Sequence, residues 1–368
     1  MLTYAIDLQR IRQYLNHAVR ANLLWDALRE DRRFLAQVRR GFLPMPGDRA
    51  APVDPFPPTR RVRRPALKDR RVAVIATGGS GAQASVVGVA QALEVAGVTP
   101  VAYGVCSGSA LFGIPLAAGM TPREVALATQ SFTPGDLLDP DWRGLLAAPW
   151  RLGKGWIGLL NGDGLEHAYR EMLGDVTLGE LPIPVWLPIW NIERNRLDYL
   201  GPDTHPDLSA ARAVRMAVAL PLAIQPNHLD GGWWLDGGVV DILPAEPFVG
   251  TDRADLAIVV NGFYPPGFDG DEESSWRESR FSVLRVANQS RSMQHIQLAR
   301  RGMADLRRTV PDVVELTPVD YSKVQGAGLY GQFLDSREWP KFMTNGYQAA
   351  AEALRSFRPQ QPSAAKKG

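Results

Sequence analysis

Apolar residues change their spacing along the chain, and each change marks a different kind of element. From Tyr4 to about Arg40 they recur at Tyr4, Leu8, Ile11, Leu15 and Val19, then at Leu23, Leu28, Phe34, Leu35 and Val38. The early steps of four, three, four and four residues follow one face of a helix. Asp7, Asp26, Glu30 and Asp31 interleave with arginines, so residues 1–43 read as an amphipathic helical extension. Between Pro44 and Pro65 stand seven prolines, together with the pairs Arg60-Arg61 and Arg63-Arg64. That proline density forbids a helix and predicts an extended linker over 44–70.

From Arg71 the pattern becomes short apolar runs without a polar face. Val72–Ala76 is one, as expected of a buried parallel strand. A glycine-rich turn, a helical stretch over Ser85–Ala96 and a second strand over Thr99–Tyr103 complete a βαβ unit. Further strands are expected at Pro184–Asn191, Asp255–Asn261 and Val313–Leu316, with a long helix from Trp276 to Arg308. The alternation predicts one α/β domain over 71–357, with a central, mainly parallel sheet. Residues 358–368 have the composition of a disordered tail.

Composition narrows the function classes. No stretch approaches the roughly 18 apolar residues of a membrane span, and the first residues do not open a signal peptide, so a soluble cytoplasmic protein is expected. The 368 residues hold one cysteine and five histidines, with no His pair at metal-binding spacing, so neither a disulfide framework nor a metal or other cofactor is expected. The net charge of +2 conceals an asymmetry: residues 1–71 carry 16 basic and 7 acidic side chains, a net of +9, leaving −7 on the rest. A basic arm on an acidic body suits intramolecular docking or a peripheral membrane surface. Its arginines lack aromatic interleaving, so nucleic acid is not an expected partner.

Three loops carry candidate chemistry. The first, Thr77-Gly78-Gly79-Ser80-Gly81-Ala82-Gln83-Ala84, joins the first strand to its helix. Gly79-x-Gly81-x-x-Ala84 meets a relaxed dinucleotide fingerprint, but no Asp or Glu lies between Glu94 and Glu124 to hold a ribose. No Gly-Lys-Ser/Thr follows, which excludes a phosphate loop of the P-loop type. What remains is a general property: exposed amides at a glycine turn stabilise negative charge.

The second loop is Gly104-Val105-Cys106-Ser107-Gly108-Ser109, ending the second strand. Gly104-x-Cys106-x-Gly108 has the form of a nucleophile elbow, with Cys where Ser is usual and small residues two before and two after. Ser107 and Ser109 compete for the role, but neither stands between glycines at those offsets. Cys106 is alternatively a small buried side chain at a tight turn. An α/β-hydrolase would use the same elbow, but it needs more strands before it and a loop-borne His. His295, the only His after Asp236, falls in the expected long helix.

The third loop, Trp233-Trp234-Leu235-Asp236-Gly237-Gly238, is by itself an ordinary turn. Together with the other two it resembles the patatin-like phospholipases. In that family a glycine-rich oxyanion loop, a G-x-S-x-G elbow and a D-G-[GA] loop occur in this order. Gly162-Asp163-Gly164-Leu165, Leu181-Pro182-Ile183-Pro184 and Ala213-Val214-Arg215-Met216-Ala217 through Leu220-Pro221 resemble the family's middle segments. The resemblance spans roughly 71–355 and implies a three-layer α/β/α fold. It implies an oxyanion hole at Gly78, Gly79, Ser80 and Gly81, an elbow framed by Gly104 and Gly108, and a dyad of Cys106 with Asp236 on the Gly237-Gly238 loop. Two departures stand out: the basic residue of the oxyanion loop is replaced by Ala82 and Gln83, and the nucleophile position is Cys106. The expectation is therefore a Cys106 thioester mechanism on an acyl ester or a carrier-bound thioester, with transfer or condensation favoured over hydrolysis. The alternative is a catalytically degenerate protein that binds acyl chains.

Overall fold

The apolar run after Arg71 forms β1 (Val72–Ala76), buried along its whole length. The computed structural model describes residues 51–62, 64–132, 139–147, 150, 158–263, 282–319, 333 and 336–359. After β1 come a 3-10 turn (Ser80–Ala84), α1 (Ser85–Ala96), β2 (Ala102–Gly104), a second 3-10 turn (Ser107–Ser109), α2 (Ala110–Ala117), α3 (Pro122–Ser131) and α4 (Trp142–Ala147). There follow β3 (Gly158–Leu160), α5 (Asp163–Leu173), β4 (Val185–Asn191), β5 (Arg196–Leu200), α6 (Ala210–Ala217), β6 (Leu222–Ile224), β7 (Asn227–Leu229) and β8 (Gly232–Asp236). The chain closes with β9 (Leu256–Val260), α7 (Ser282–Thr309), β10 (Asp312–Leu316) and α8 (Trp339–Ser356).

The main sheet runs β10-β9-β1-β2-β4-β8-β7, with β5 also paired to β4. From β10 to β4 every pairing is parallel; β5, β7 and β8 pair antiparallel. Strand alternation divides the core into two layers. Val72, Val74 and Ala76 of β1 face α1 and α8, whereas Ala73 and Ile75 face Ile296, Ala299 and Met303 of α7. This is a three-layer α/β/α fold. Each expected strand is present, β1 at the expected bounds and the others with ends displaced by at most three residues, and the long helix is described from Ser282. The antiparallel strands β5 and β7 are not expected from the sequence pattern. β5 has a partly exposed face and β7 spans only three residues, so neither shows the apolar run of the parallel strands.

The basic arm over 1–43 and the tail from 360 lie outside the described residues. From residue 51 the proline segment is extended and is packed on the body of the protein. Phe56 is buried against Tyr347, and the Val62 amide donates to the Val95 carbonyl at 2.7 Å. Arg123 pairs with Asp54 and donates to the Pro57 carbonyl at 3.0 Å, while Thr344 Oγ1 donates to the Pro55 carbonyl at 3.1 Å. One aromatic side chain and these local donors are enough to hold a segment whose own backbone has few N–H groups to offer.

α1 and α8 pack closely through two glycines. A Cβ on Gly346 would lie 2.0 Å from the Ser85 carbonyl oxygen, and one on Gly88 would lie 1.9 Å from that of Met343. Gly346→Val is expected to destabilise the protein by about 2–3 kcal/mol, because two backbones must separate to admit it. A urea-unfolding midpoint equal to that of the wild type would contradict this packing.

Candidate active site

The three loops meet beside the middle of β4. β2 pairs in parallel with Val185 and Trp186, and β8 pairs antiparallel with Ile189–Asn191. The C-terminal ends of β2 and β8 therefore converge, which brings the 106–109 turn to Asp236. The β1–α1 loop arrives from the other side: a Cβ on Gly108 would lie 2.1 Å from the Ser80 carbonyl oxygen. Gly108 is thus required for close backbone approach, as an elbow needs next to its nucleophile.

The side chain at the head of this turn is Ser107. Cys106 has extended backbone angles (φ −139°, ψ 135°), whereas Ser107 takes φ 51°, in the left-handed region that a non-glycine residue rarely adopts. Alternation along β2 sends Cys106 toward the α7 layer, where it is fully buried with Ile242 and Leu243. Its Sγ lies 3.5 Å from the Asp241 carbonyl oxygen. Burial first, then the charges of Asp236 and Asp241, push the Cys106 thiol well above its ordinary value, with the Gly78 amide pulling the other way. The expectation that Cys106 is the exposed head of the elbow is corrected: the strand's period of two turns it inward. Ser107, by contrast, lines a cleft with Ser80, Gly108, Leu160, Val218, Leu220, Ala223, Ile224 and Phe333.

Two features hid Ser107 in the sequence. Val105 stands two residues before it, where a glycine is usual. The room is found elsewhere: a Cβ on Gly113 of α2 would lie 2.4 Å from Val105 Cγ1, so Gly113 makes the space. Ser109 stands two residues after, and its small side chain braces the turn. Its hydroxyl accepts the Cys106 amide at 2.7 Å and donates to the Cys106 carbonyl at 2.8 Å. The readable signal was the Ser107-Gly108-Ser109 run. Gly104 serves packing instead, since a Cβ there would meet the Phe248 ring at 2.7 Å.

Asp236 ends β8 fully buried. Its Oδ1 accepts the Gly238 amide at 2.7 Å, while Oδ2 has no partner within hydrogen-bond geometry among the described residues. Burial raises the Asp236 carboxyl to about 7; the Ser107 hydroxyl opposes this most strongly, ahead of the Gly238 amide. Ser107 and Asp236 are thus near enough to interact but short of a formed hydrogen bond, as is common before a substrate is bound. Both glycines of the loop are needed sterically. A Cβ on Gly238 would lie 2.8 Å from Cys106 Sγ, and one on Gly237 would lie 2.4 Å from the Pro188 carbonyl carbon. His295 of α7 lies with Nε2 2.6 Å from the Val239 carbonyl oxygen and braces this loop.

Of the expected oxyanion donors, Gly78 is corrected, because its amide donates to the Ile242 carbonyl at 3.0 Å. Gly79, Ser80 and Gly81 follow it into the 3-10 turn, where Ser80 has φ 56° and its buried hydroxyl has no partner among the described residues. The Gly79, Ser80 and Gly108 amides have no acceptor among the described residues outside their own turns. Gln83, standing near the family's basic position, folds beneath the loop: its amide nitrogen donates to Thr77 Oγ1 at 3.0 Å and to the Gly78 carbonyl at 3.1 Å. The loop is thereby held by a neutral side chain. The cleft is apolar beyond Ser80 and Ser107, and its free volume of about 40 Å³ holds water molecules rather than an acyl chain. Among the described residues no cluster of His, Cys, Asp and Glu has the form of a metal site. No described helix is long and apolar enough to cross a membrane.

Because the folded Asp236 carboxyl lies above its ordinary value of 3.8, folding favours its protonated form. The stability this contributes is complete below the ordinary value and is lost as pH rises toward about 7. Asp236→Asn removes that loss. Its unfolding midpoint is expected to fall less than that of the wild type between roughly pH 5 and pH 8. Parallel pH profiles for the two proteins would contradict the buried-carboxyl assignment.

Residues 74–249 match the family model described as patatin-like phospholipase. An uncharacterized NTE family protein of Mycobacterium bovis is 33% identical over 213 residues, covering 56% of this chain and 52% of that protein. A counterpart from Mycobacterium tuberculosis strain H37Rv matches with the same values, 33% identity and 52% of its length. The chain therefore spans about half the length of the curated relatives it matches. Among solved structures, VipD from Legionella pneumophila superposes with TM-score 0.47 and 15% identity, over 82% of this chain and 71% of that one. Human GIVD cytosolic phospholipase A2 superposes with TM-score 0.40 and 13% identity, over 89% and 64%. Over residues 74–249, just under half of its length, the chain is thus similar to the patatin-like phospholipases.

Proposed function

We propose that the protein is a serine-dependent lipid acyl hydrolase, with Ser107 as nucleophile and Asp236 as its general base. The observation that carries this reading is the Ser107 hydroxyl, held at a left-handed turn between the apolar cleft and the buried carboxylate. Asp236 Oδ2 takes the Ser107 proton as Oγ attacks the acyl carbonyl. The oxygen of the tetrahedral intermediate faces the amides of Gly79, Ser80 and Gly108, which need no reorganisation to receive it. The carbonyl re-forms, the leaving alkoxide departs with the proton from Asp236, and the acyl group remains as an ester on Ser107. Water, deprotonated by Asp236, attacks that ester, and the proton passes back to Ser107 as the carboxylic acid leaves. A carboxyl titrating near 7 serves both directions of transfer at neutral pH. Leu160, Leu220, Ile224 and Phe333 suit a hydrophobic acyl group once the cleft opens.

The thioester route through Cys106 is disfavoured on the same geometry. The thiol lies in the other layer of the core and two carboxylates oppose its ionisation. The preference for transfer rested on a thioester, and hydrolysis becomes the simpler outcome for an acyl-serine. With a serine at the elbow, the reason for regarding the domain as catalytically degenerate falls away.

The test uses the full chain and a p-nitrophenyl ester series. Ser107→Ala is expected to lower kcat/KM by about 10⁴-fold, and Cys106→Ala to leave it within several-fold of wild type. Turnover should rise with pH through about 7, as Asp236 ionises. Loss of turnover in Cys106→Ala with retention in Ser107→Ala would reverse the assignment.

A further inference from the structure

Three of the most exposed large apolar side chains among the described residues lie in one short stretch: Trp142 at 65%, Leu146 at 74% and Trp150 at 90%. Their spacing of four residues sets Trp142 and Leu146 on one face of α4, and the Trp150 amide donates to the Ala147 carbonyl at 3.1 Å, so the chain turns there. Exposed tryptophan is costly in water and is favoured where one side of the ring is apolar and the other wet. The charges point the same way. From Trp142 to Gly162 the sequence has no acidic residue, but it has Arg143, Arg151 and Lys154, in a body that is otherwise net acidic.

This stretch is mounted on the wall of the candidate site. Pro140 bridges Leu160 of β3, the Asp141 amide donates to the Leu159 carbonyl at 2.9 Å, and Gln225 Nε2 donates to Asp141 Oδ2 at 3.0 Å. Leu160 lines the cleft beside Ser107, and β3 pairs with β6, whose Ile224 lines it too. We propose that Trp142, Leu146 and Trp150 form a docking surface for an anionic lipid bilayer, at which the site meets its acyl substrate. The tryptophan rings and Leu146 insert at the headgroup boundary while the exposed Arg143 faces anionic headgroups. The surface is distinct from the basic arm over 1–43. The proposal rests on the proposed function only for the nature of the substrate, since docking needs no turnover.

The test is co-sedimentation of the full chain with vesicles of phosphatidylcholine, with and without phosphatidylglycerol. Wild type is expected to bind the mixed vesicles more tightly. The double variant Trp142→Ser, Trp150→Ser should bind them about tenfold or more weakly while hydrolysing a soluble short-chain ester at the wild-type rate. Ser107→Ala should bind as wild type does, so a failed catalytic assignment leaves the vesicle result standing. Unchanged vesicle binding by the double variant overturns the proposal. So does a wild-type dimer that the substitutions turn into a monomer, which would make the patch a surface for a second copy of the chain.

Discussion

The candidate site depends on one backbone contact, the approach of the glycine loop to the turn after β2. The Ser80 carbonyl stands where a side chain on residue 108 would be, so the two loops can touch only because residue 108 is glycine. That contact sets the distance between the amides of Gly79 and Ser80 and the hydroxyl of Ser107. It also leaves the Gly108 amide beside them. Ser80 and Ser107, two of the five left-handed non-glycine residues among the described residues, lie one on each side of it. Strain of this kind persists only where the surroundings impose it, and here both residues open into the same cleft.

Much of the fold was legible because its centre is parallel. β1, β9 and most of β4 are buried on both faces, and such strands must be apolar throughout. The glycine loop and Asp236 were legible for a related reason, since glycine repeats and an Asp-Gly-Gly turn have few structural alternatives in that order. The proposed nucleophile, Ser107, was not legible from flanking glycines alone. A rule that asks for Gly two residues before the nucleophile tests for space through one residue type. Here Gly113, six residues beyond Ser107, supplies the space that Val105 fills. The docked proline segment escaped for a similar reason: composition reports that it cannot be helical, not that Phe56 will find a pocket on α8.

The buried thiol then takes on a structural role. Cys106 fills the room between Gly78, Gly238 and Ile242, beneath Ser107 and Asp236. A larger side chain would push Gly238 off the Asp236 carboxylate that it helps to hold. Below Cys106, the Asp241 carboxyl is raised by burial and accepts a hydrogen bond from the Tyr199 hydroxyl at 2.5 Å. The residues under the site thus keep a second carboxyl satisfied and away from Ser107. Asp236, whose Oδ2 has no hydrogen-bond partner among the described residues, remains the group able to accept a proton.

The most direct measurement is the bond by which an acyl group is held on the enzyme. An acyl-enzyme trapped by acid quench with a p-nitrophenyl ester can be exposed to neutral hydroxylamine and followed by intact-protein mass spectrometry. Thioesters are cleaved under those conditions and alkyl esters persist. With Ser107 as the nucleophile, the adduct survives and is absent from Ser107→Ala; an adduct released by hydroxylamine and absent from Cys106→Ala would contradict that assignment.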